Sequence, residues 1–150
     1  MNRPQGRPIN EMKLMFPSYS ENERLARIAI SGFLSALDPS IDELSDIKTA
    51  VSEGVTNAIV HGYRGTTGTV TVYAKLMKER RLYIKITDKG CGIEDVKKAM
   101  EPLFTTAPQD DRAGLGFAIM QTFMENVRVR SKVGKGTTVI MERRLSSGRL

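Results

Sequence analysis

The sequence predicts an α+β fold, a two-layer sandwich in which helices cover one face of a mixed β-sheet. Three observations lead there. Two helical stretches in succession, each opening on a Ser-x-x-Glu signal, occupy the first half of the chain. A tight hairpin of two alternating segments follows at 70–86, and a second pair of alternating segments closes the chain at 127–141. With 150 residues and a 40% apolar fraction, the chain suits one domain with a substantial core.

The elements follow in order. Pro4 and Pro8, with glycine and polar neighbours, make residues 1–11 a flexible lead-in. Met12, Leu14 and Phe16 alternate, which suggests a short edge strand over 13–19. Ser20 and Glu23 form a capping-box pattern, and Leu25, Ile28, Ala29, Phe33 and Leu37 then recur at helical spacing. Ser40 and Glu43 repeat the device, and Leu44, Ile47, Val51, Val55, Ala58 and Ile59 give the second helix its apolar stripe, ending near Gly62. Val70, Val72, Ala74 and Leu76 alternate, as do Leu82, Ile84 and Ile86, with the turn at 77–81. A short helical piece is expected around 94–100, then a loop through Pro102 and Pro108. Leu115, Ile119 and Phe123 mark a third long helix. Val127 and Val129 belong to one strand, and Thr137, Val139 and Met141 to another, joined through Gly134 and Gly136. The organisation expected is a tail over 1–11, one domain over 12–145, and a tail over 146–150.

Composition narrows the function. No apolar run approaches the roughly 18 residues of a membrane span, and residues 1–8 lack the apolar stretch of a secretory signal. A single cysteine, Cys91, excludes an internal disulfide and fits a reducing cytoplasm. Cys91 and the single histidine, His61, leave little to hold zinc. The net charge is +6, of which residues 1–13 and 142–150 supply +2 each. Basic termini raise the pI without making a binding face, and no zinc-finger or RNA-binding motif accompanies them. Direct DNA binding and membrane association are therefore not expected.

Chemistry concentrates in three segments. Glu53 and Asn57 lie four residues apart on a helix and leave the same side, at the flank of the apolar stripe. Asn offers a neutral carbonyl oxygen to a magnesium ion already carrying phosphates, and Glu can take a proton from a hydroxyl; the bland alternative is a solvated helix face. Asp88 shares the phase of Leu82, Ile84 and Ile86, so it points to the apolar side, where a carboxylate needs a partner. An adenine amino group would serve, although a turn-forming Asp before Gly90 is common. Gly90 and Gly92 fit a turn or close approach of a ligand. Gly114 and Gly116 open a helix whose free amides favour phosphate, Arg112 adds a cation beside them, and Thr105 and Thr106 offer hydroxyls from the preceding loop. The same stretch reads equally as an ordinary loop.

Several similar patterns fail. Position 95 is Asp, so 90–95 lacks the last glycine of a dinucleotide fingerprint, and Gly134-Lys135 is followed by Gly136 rather than Ser or Thr. The His-Arg-Asp and Asp-Phe-Gly signatures of ordinary protein kinases are absent.

Taken in order, the segments resemble the GHKL superfamily of ATPases and kinases. Residues 53–63 are similar to its N-box, 88–93 to its first glycine box, 114–117 to its second, and Gly136-Thr137-Thr138 to its closing box. Pro102 to Thr106, the short lid and the Asn22-Glu23…Ala26-Arg27 stretch resemble the anti-sigma factor kinases. The resemblance implies a cytoplasmic, homodimeric serine kinase that uses Mg2+ and ATP, sequesters a sigma factor, and phosphorylates an anti-anti-sigma factor. It implies Glu53 as the base, Asn57 as magnesium ligand and Asp88 as the adenine-binding carboxylate. It further implies Gly90, Gly92, Ile93, Thr105, Thr106, Arg112, Gly114, Leu115, Gly116, Phe117 and Thr137 as nucleotide contacts, with Arg27 as a partner contact. A stress-response kinase of the same family, a detached histidine-kinase ATP domain and a non-enzymatic nucleotide-gated binder are the alternatives. The few residues before the N-box helix leave no room for a phosphoacceptor hairpin, which disfavours the histidine kinase.

Overall fold

The computed structural model describes residues 7–101 and 115–146. Strand β1 (Asn10–Pro17) leads into helix α1 (Asn22–Leu34) and helix α2 (Ile41–Thr56), which continues as a π-helical segment, Asn57–Gly62. The hairpin β2 (Thr69–Met77) and β3 (Arg81–Asp88) follows, then a short helix α3 (Val96–Ala99), helix α4 (Gly116–Phe123), and the hairpin β4 (Asn126–Lys132) and β5 (Gly136–Arg144). The five strands run in the order β1-β2-β3-β5-β4.

The two-layer α+β class holds, but the sheet is antiparallel at every pairing rather than mixed. The connections explain this. Two helices, α1 and α2, lie between β1 and β2, so the chain crosses the layer twice and β2 returns antiparallel. One helix of comparable role, α4, separates β3 from β4, which therefore run the same way, but β5 inserts between them. β1 also starts two residues before the expected domain boundary: Ile9 N–H already donates to Leu76 O at 2.7 Å.

The inward face of β2 and β3 carries Val70, Val72, Ala74, Leu82, Ile84 and Ile86, all essentially buried, as the alternation requires. Against it pack Ile47, Val51 and Val55 of α2, Ile30 and Leu34 of α1, and Met120 of α4. Burying each such aliphatic side chain contributes about 1.5–3 kcal/mol. The stripe of α1 differs in phase from expectation. Ala26, Ile30 and Leu34 are buried, whereas Leu25 and Ile28 are exposed.

The two expected capping boxes differ as well. Ser40 Oγ accepts from Glu43 N–H at 3.1 Å and Glu43 Oε1 accepts from Ser40 N–H at 3.0 Å, so α2 has a complete box. The other oxygen of Glu43 accepts from Ser146 N–H at 2.6 Å, tying the chain after β5 to the start of α2. Helix α1 starts from Glu21 with no side-chain cap. Glu23 is drawn elsewhere: its Oε2 accepts from Ser52 Oγ on α2 and pairs with Arg27 Nε, each at 2.6 Å. A carboxylate held by Ser52 across the helix pair and by Arg27 on its own helix is drawn away from the cap.

Candidate functional site

Beyond Thr56 the helical ladder widens into the π-helical segment 57–62, a distortion frequent at functional sites. Asn57, Ala58, His61 and Gly62 thereby form one wall of a cavity of about 580 Å3. Ile86 and Val139 of the sheet, Ile93 and Phe117 give it apolar surface, and Asp88 and Thr137 bring polar groups from adjacent strands. Arg64, Glu94, Asp95 and Lys98 add mixed charge to its lining.

Asp88 is 6% exposed at the end of β3. Burial pushes its carboxyl above the ordinary carboxylate value, and hydrogen bonds from the backbones of Gly90 and Thr137 pull partly the other way. The Gly90 N–H reaches Asp88 Oδ1 at 2.8 Å. Packing at this corner leaves no room for side chains. A Cβ on Gly62 would lie 2.9 Å from the Asp88 carboxyl carbon, and one on Gly90 would lie 2.0 Å from Gly62 O.

The loop after Asp88 is held on both sides. Lys89 N–H donates to the Tyr63 hydroxyl at 2.8 Å, and that hydroxyl donates to Thr69 O at 2.6 Å. Cys91 N–H donates to Gly62 O, and Gly134 N–H donates to Cys91 O, both at 2.8 Å. Ile93 N–H donates to Ser131 Oγ at 2.7 Å. Gly92 needs to be glycine on two counts, a φ of +79° and a Cβ position 2.3 Å from Lys132 O. The loop is thus preshaped between the end of α2 and the β4–β5 turn.

Of the residues expected to act, Asn57, Asp88, Gly92, Ile93, Phe117 and Thr137 line this one cavity. Gly116 sits against Asn57, whose Oδ1 would be 3.0 Å from a Cβ there. Gly90 shapes the corner behind Asp88, and Leu115 precedes α4 as its N-cap, partly exposed. Glu53 is 8% exposed, one turn before Asn57, and is not part of the cavity wall. Arg27 lies on α1, away from the cavity, paired with Glu23. Thr105, Thr106, Arg112 and Gly114 lie outside the described residues. The sequence reading did not pick out Ile86, Ala58 or Val139 as cavity residues. Ile86 had a usable signal, since it stands two residues before Asp88 on the same strand face.

The cavity is of ordinary ligand size, mainly apolar, with one buried carboxylate and one carboxamide. That donor set fits a flat heteroaromatic ring bearing an amino group, beside a group that carries a cation. Among the described residues no cluster of three or more His, Cys, Asp or Glu could hold a metal unaided, so a cation would have to come with the phosphates it binds. Fold and site together define a nucleotide-binding α+β sandwich of the GHKL type.

Comparison with known proteins agrees. The histidine kinase-like ATPase domain family matches residues 16–143. An anti-sigma F factor of Clostridium acetobutylicum is 48% identical over 137 residues, covering 91% of this chain and 95% of that protein. One from Thermoanaerobacter is 49% identical, covering 92% and 96% respectively. Among solved structures, the RsbU and RsbW domains of a Mycobacterium tuberculosis protein align with a TM-score of 0.69 at 20% identity, over 95% of this chain and 35% of that one. The catalytic domain of the histidine kinase ThkA aligns at 0.55 and 17% identity, over 89% and 95%. The chain belongs to the histidine kinase-like ATPase family and, within it, to the anti-sigma F factors.

Proposed function

We infer that this protein binds and inhibits a sporulation sigma factor and phosphorylates the antagonist of that inhibition, an anti-anti-sigma factor, on a serine. The observation that carries the reading is the convergence of Asn57, Asp88 and Thr137 on one cavity in a chain nearly half identical, over almost its whole length, to proteins named anti-sigma F factors. Asp88 would accept a hydrogen bond from the adenine amino group, and Asn57 would present its carbonyl oxygen to Mg2+. Bound Mg-ATP would supply the phosphoryl group and a cation to offset its charge. Glu53, one turn from Asn57, would take the proton of the substrate serine hydroxyl as that oxygen becomes nucleophilic.

Thr105, Thr106, Arg112, Gly114, Leu115, Gly116 and Phe117 would contact the nucleotide and its phosphates. Arg27 would meet acidic groups of the protein partners; its guanidinium is already oriented by Glu23. The working unit would be a cytoplasmic homodimer, its kinase domain the expected 12–145 with β1 extending it to Asn10.

The position of Glu53 outside the cavity wall favours one rival, a nucleotide-gated binder without catalysis. Phosphoryl transfer separates the two. Partners captured from a sporulating extract, incubated with the protein and labelled Mg-ATP, should acquire label on serine. Glu53→Gln should slow transfer by about 100- to 10,000-fold while ADP affinity and sigma-factor binding stay near wild type. Nucleotide and sigma binding with no labelled serine would establish the rival.

A further inference from the structure

The helices cover one face of the sheet; the opposite face has no described element packed on it, and sheet pairing gathers charge there. The register puts Lys13, Tyr73, Lys85, Ile140 and Arg128 in a single row across all five strands. The next row reads Met15, Thr71, Thr87, Thr138 and Arg130. Arg128 and Arg144 pair with Glu142 and Glu79. Among the described residues, Lys13, Lys75, Arg81, Lys85, Arg130 and Lys132 on this face have no carboxylate partner at ion-pair distance. Against them the strands present only Glu11 and Glu142, and Glu11 is engaged by the Tyr73 hydroxyl at 2.5 Å. Among the described residues, positive charge therefore gathers on this face in a way that residue counting along the sequence hides. It gathers there because alternation sends the cations of four strands to the same side.

We propose that this face binds the phosphodiester backbone of nucleic acid, without reading its sequence. A second copy of the chain is a poor occupant, since face-to-face pairing would set like charges against each other. Lysine is depleted in protein interfaces, whereas lysine, arginine and threonine hydroxyls are the usual contacts to phosphate. A groove of about 820 Å3 on this side has Lys13, Lys85 and Lys89 beside Thr71 and Thr87, which is that combination. Base stacking is not part of the proposal. Lys75 Nζ lies 4.5 Å from the Tyr83 ring centre, Lys85 Nζ lies 5.7 Å from that of Tyr73, and the rings meet edge to face, so neither ring offers an open platform. Binding should be electrostatic and governed by counterion release.

The test is fluorescence anisotropy of the full chain with a labelled mixed-sequence 30-bp DNA duplex across a salt series. Six unpaired cations neutralising phosphates predict a loss of affinity of about 1,000-fold between 50 and 200 mM salt. Replacing Lys13, Lys85 and Arg130 together by Gln should reduce the slope of log K against log salt by about 3. ADP binding by that variant should be unchanged, which also verifies its fold. Arg3→Gln with Arg149→Gln, which removes one positive charge from each basic terminus, should leave most of the binding in place. Three results would overturn the proposal: no binding at 50 mM salt, wild-type binding by the triple variant, or polyglutamate of matched charge competing as well as unlabelled DNA. The last would assign the face to an acidic protein instead.

Discussion

Replacing Gly62 by alanine probes the corner on which the site depends. The added methyl carbon would lie 2.9 Å from the Asp88 carboxyl carbon and Oδ1 and 3.0 Å from Oδ2, where ordinary contact starts at 3.4 Å. About half an ångström must be found, and the surroundings are unwilling. Gly62 O is fixed by Cys91 N–H at 2.8 Å, and Asp88 Oδ1 by Gly90 N–H at 2.8 Å. Overpacking of this kind costs about 1–3 kcal/mol, while alanine in place of glycine in a helical segment returns about 1 kcal/mol. The net loss of stability should therefore be about 0–2 kcal/mol in urea unfolding. The effect on ligand should be larger than that on folding. With Asp88 reading adenine as proposed, a displaced carboxylate would leave the adenine amino group mispaired, at about 1–3 kcal/mol, or about 5- to 150-fold in ADP affinity by calorimetry. Gly32→Ala is the control, because a Cβ there meets nothing within 4 Å; it should stabilise the exposed side of α1 slightly and leave ADP binding unchanged. A Gly62→Ala protein with wild-type ADP affinity would refute the reasoning.

Two further substitutions test how the fold holds the site. Glu43 is buried, which by itself raises a carboxyl pKa, but hydrogen bonds from Ser146 and Ser40 outweigh this and hold it below 4.5. Its contribution should thus be complete above pH about 4.5 and be lost as pH falls through the lowered folded value. Glu43→Gln should cost about 1–3 kcal/mol at pH 7, with the gap to wild type closing in acid, as read from urea midpoints against pH. At the β2–β3 turn, Glu79 and Arg80 adopt φ of +62° and +60°, a left-handed pair that Asn and Gly accept better. Glu79→Asn should raise stability by about 0.5–1 kcal/mol, because the exposed Glu79–Arg144 pair it removes contributes little; a lower thermal midpoint would contradict this.

The sequence carried the hairpin β2–β3, the capping box of α2 and the inward aim of Asp88 because each is set by local chemistry: strict alternation in one case, a four-residue hydrogen-bond pattern in another. The phase of α1 was not legible. Leu25, Ala26, Ile28, Ala29 and Ile30 make nearly every position apolar, so two stripes fit, and only packing against α2 selects Ala26, Ile30 and Leu34. Ser20 and Glu23 matched a cap that a tertiary contact with Ser52 and a pairing with Arg27 one turn along α1 override. Strand order and the joining of the two hairpins into one basic outer face depend on the β1–β2 and β3–β5 pairings between residues distant in sequence, such as Lys13 with Tyr73, which no window along the chain samples. Of the candidate site, the residues on β3 and in the loop after it were legible from phase and glycine spacing. The widening of α2 at 57–62 gave no sequence signal.

The central claim is that the cavity holds an adenine nucleotide read by Asp88, and calorimetry of ADP with magnesium on the Asp88→Asn protein tests it most directly. Asparagine keeps the shape and one acceptor for Gly90 N–H, and it removes a charge that burial disfavours. The unliganded variant should unfold within about 1 kcal/mol of wild type. Its amide NH2, facing the adenine amino group, should weaken ADP by about 5- to 150-fold. Equal ADP affinity in a folded Asp88→Asn protein would contradict the account.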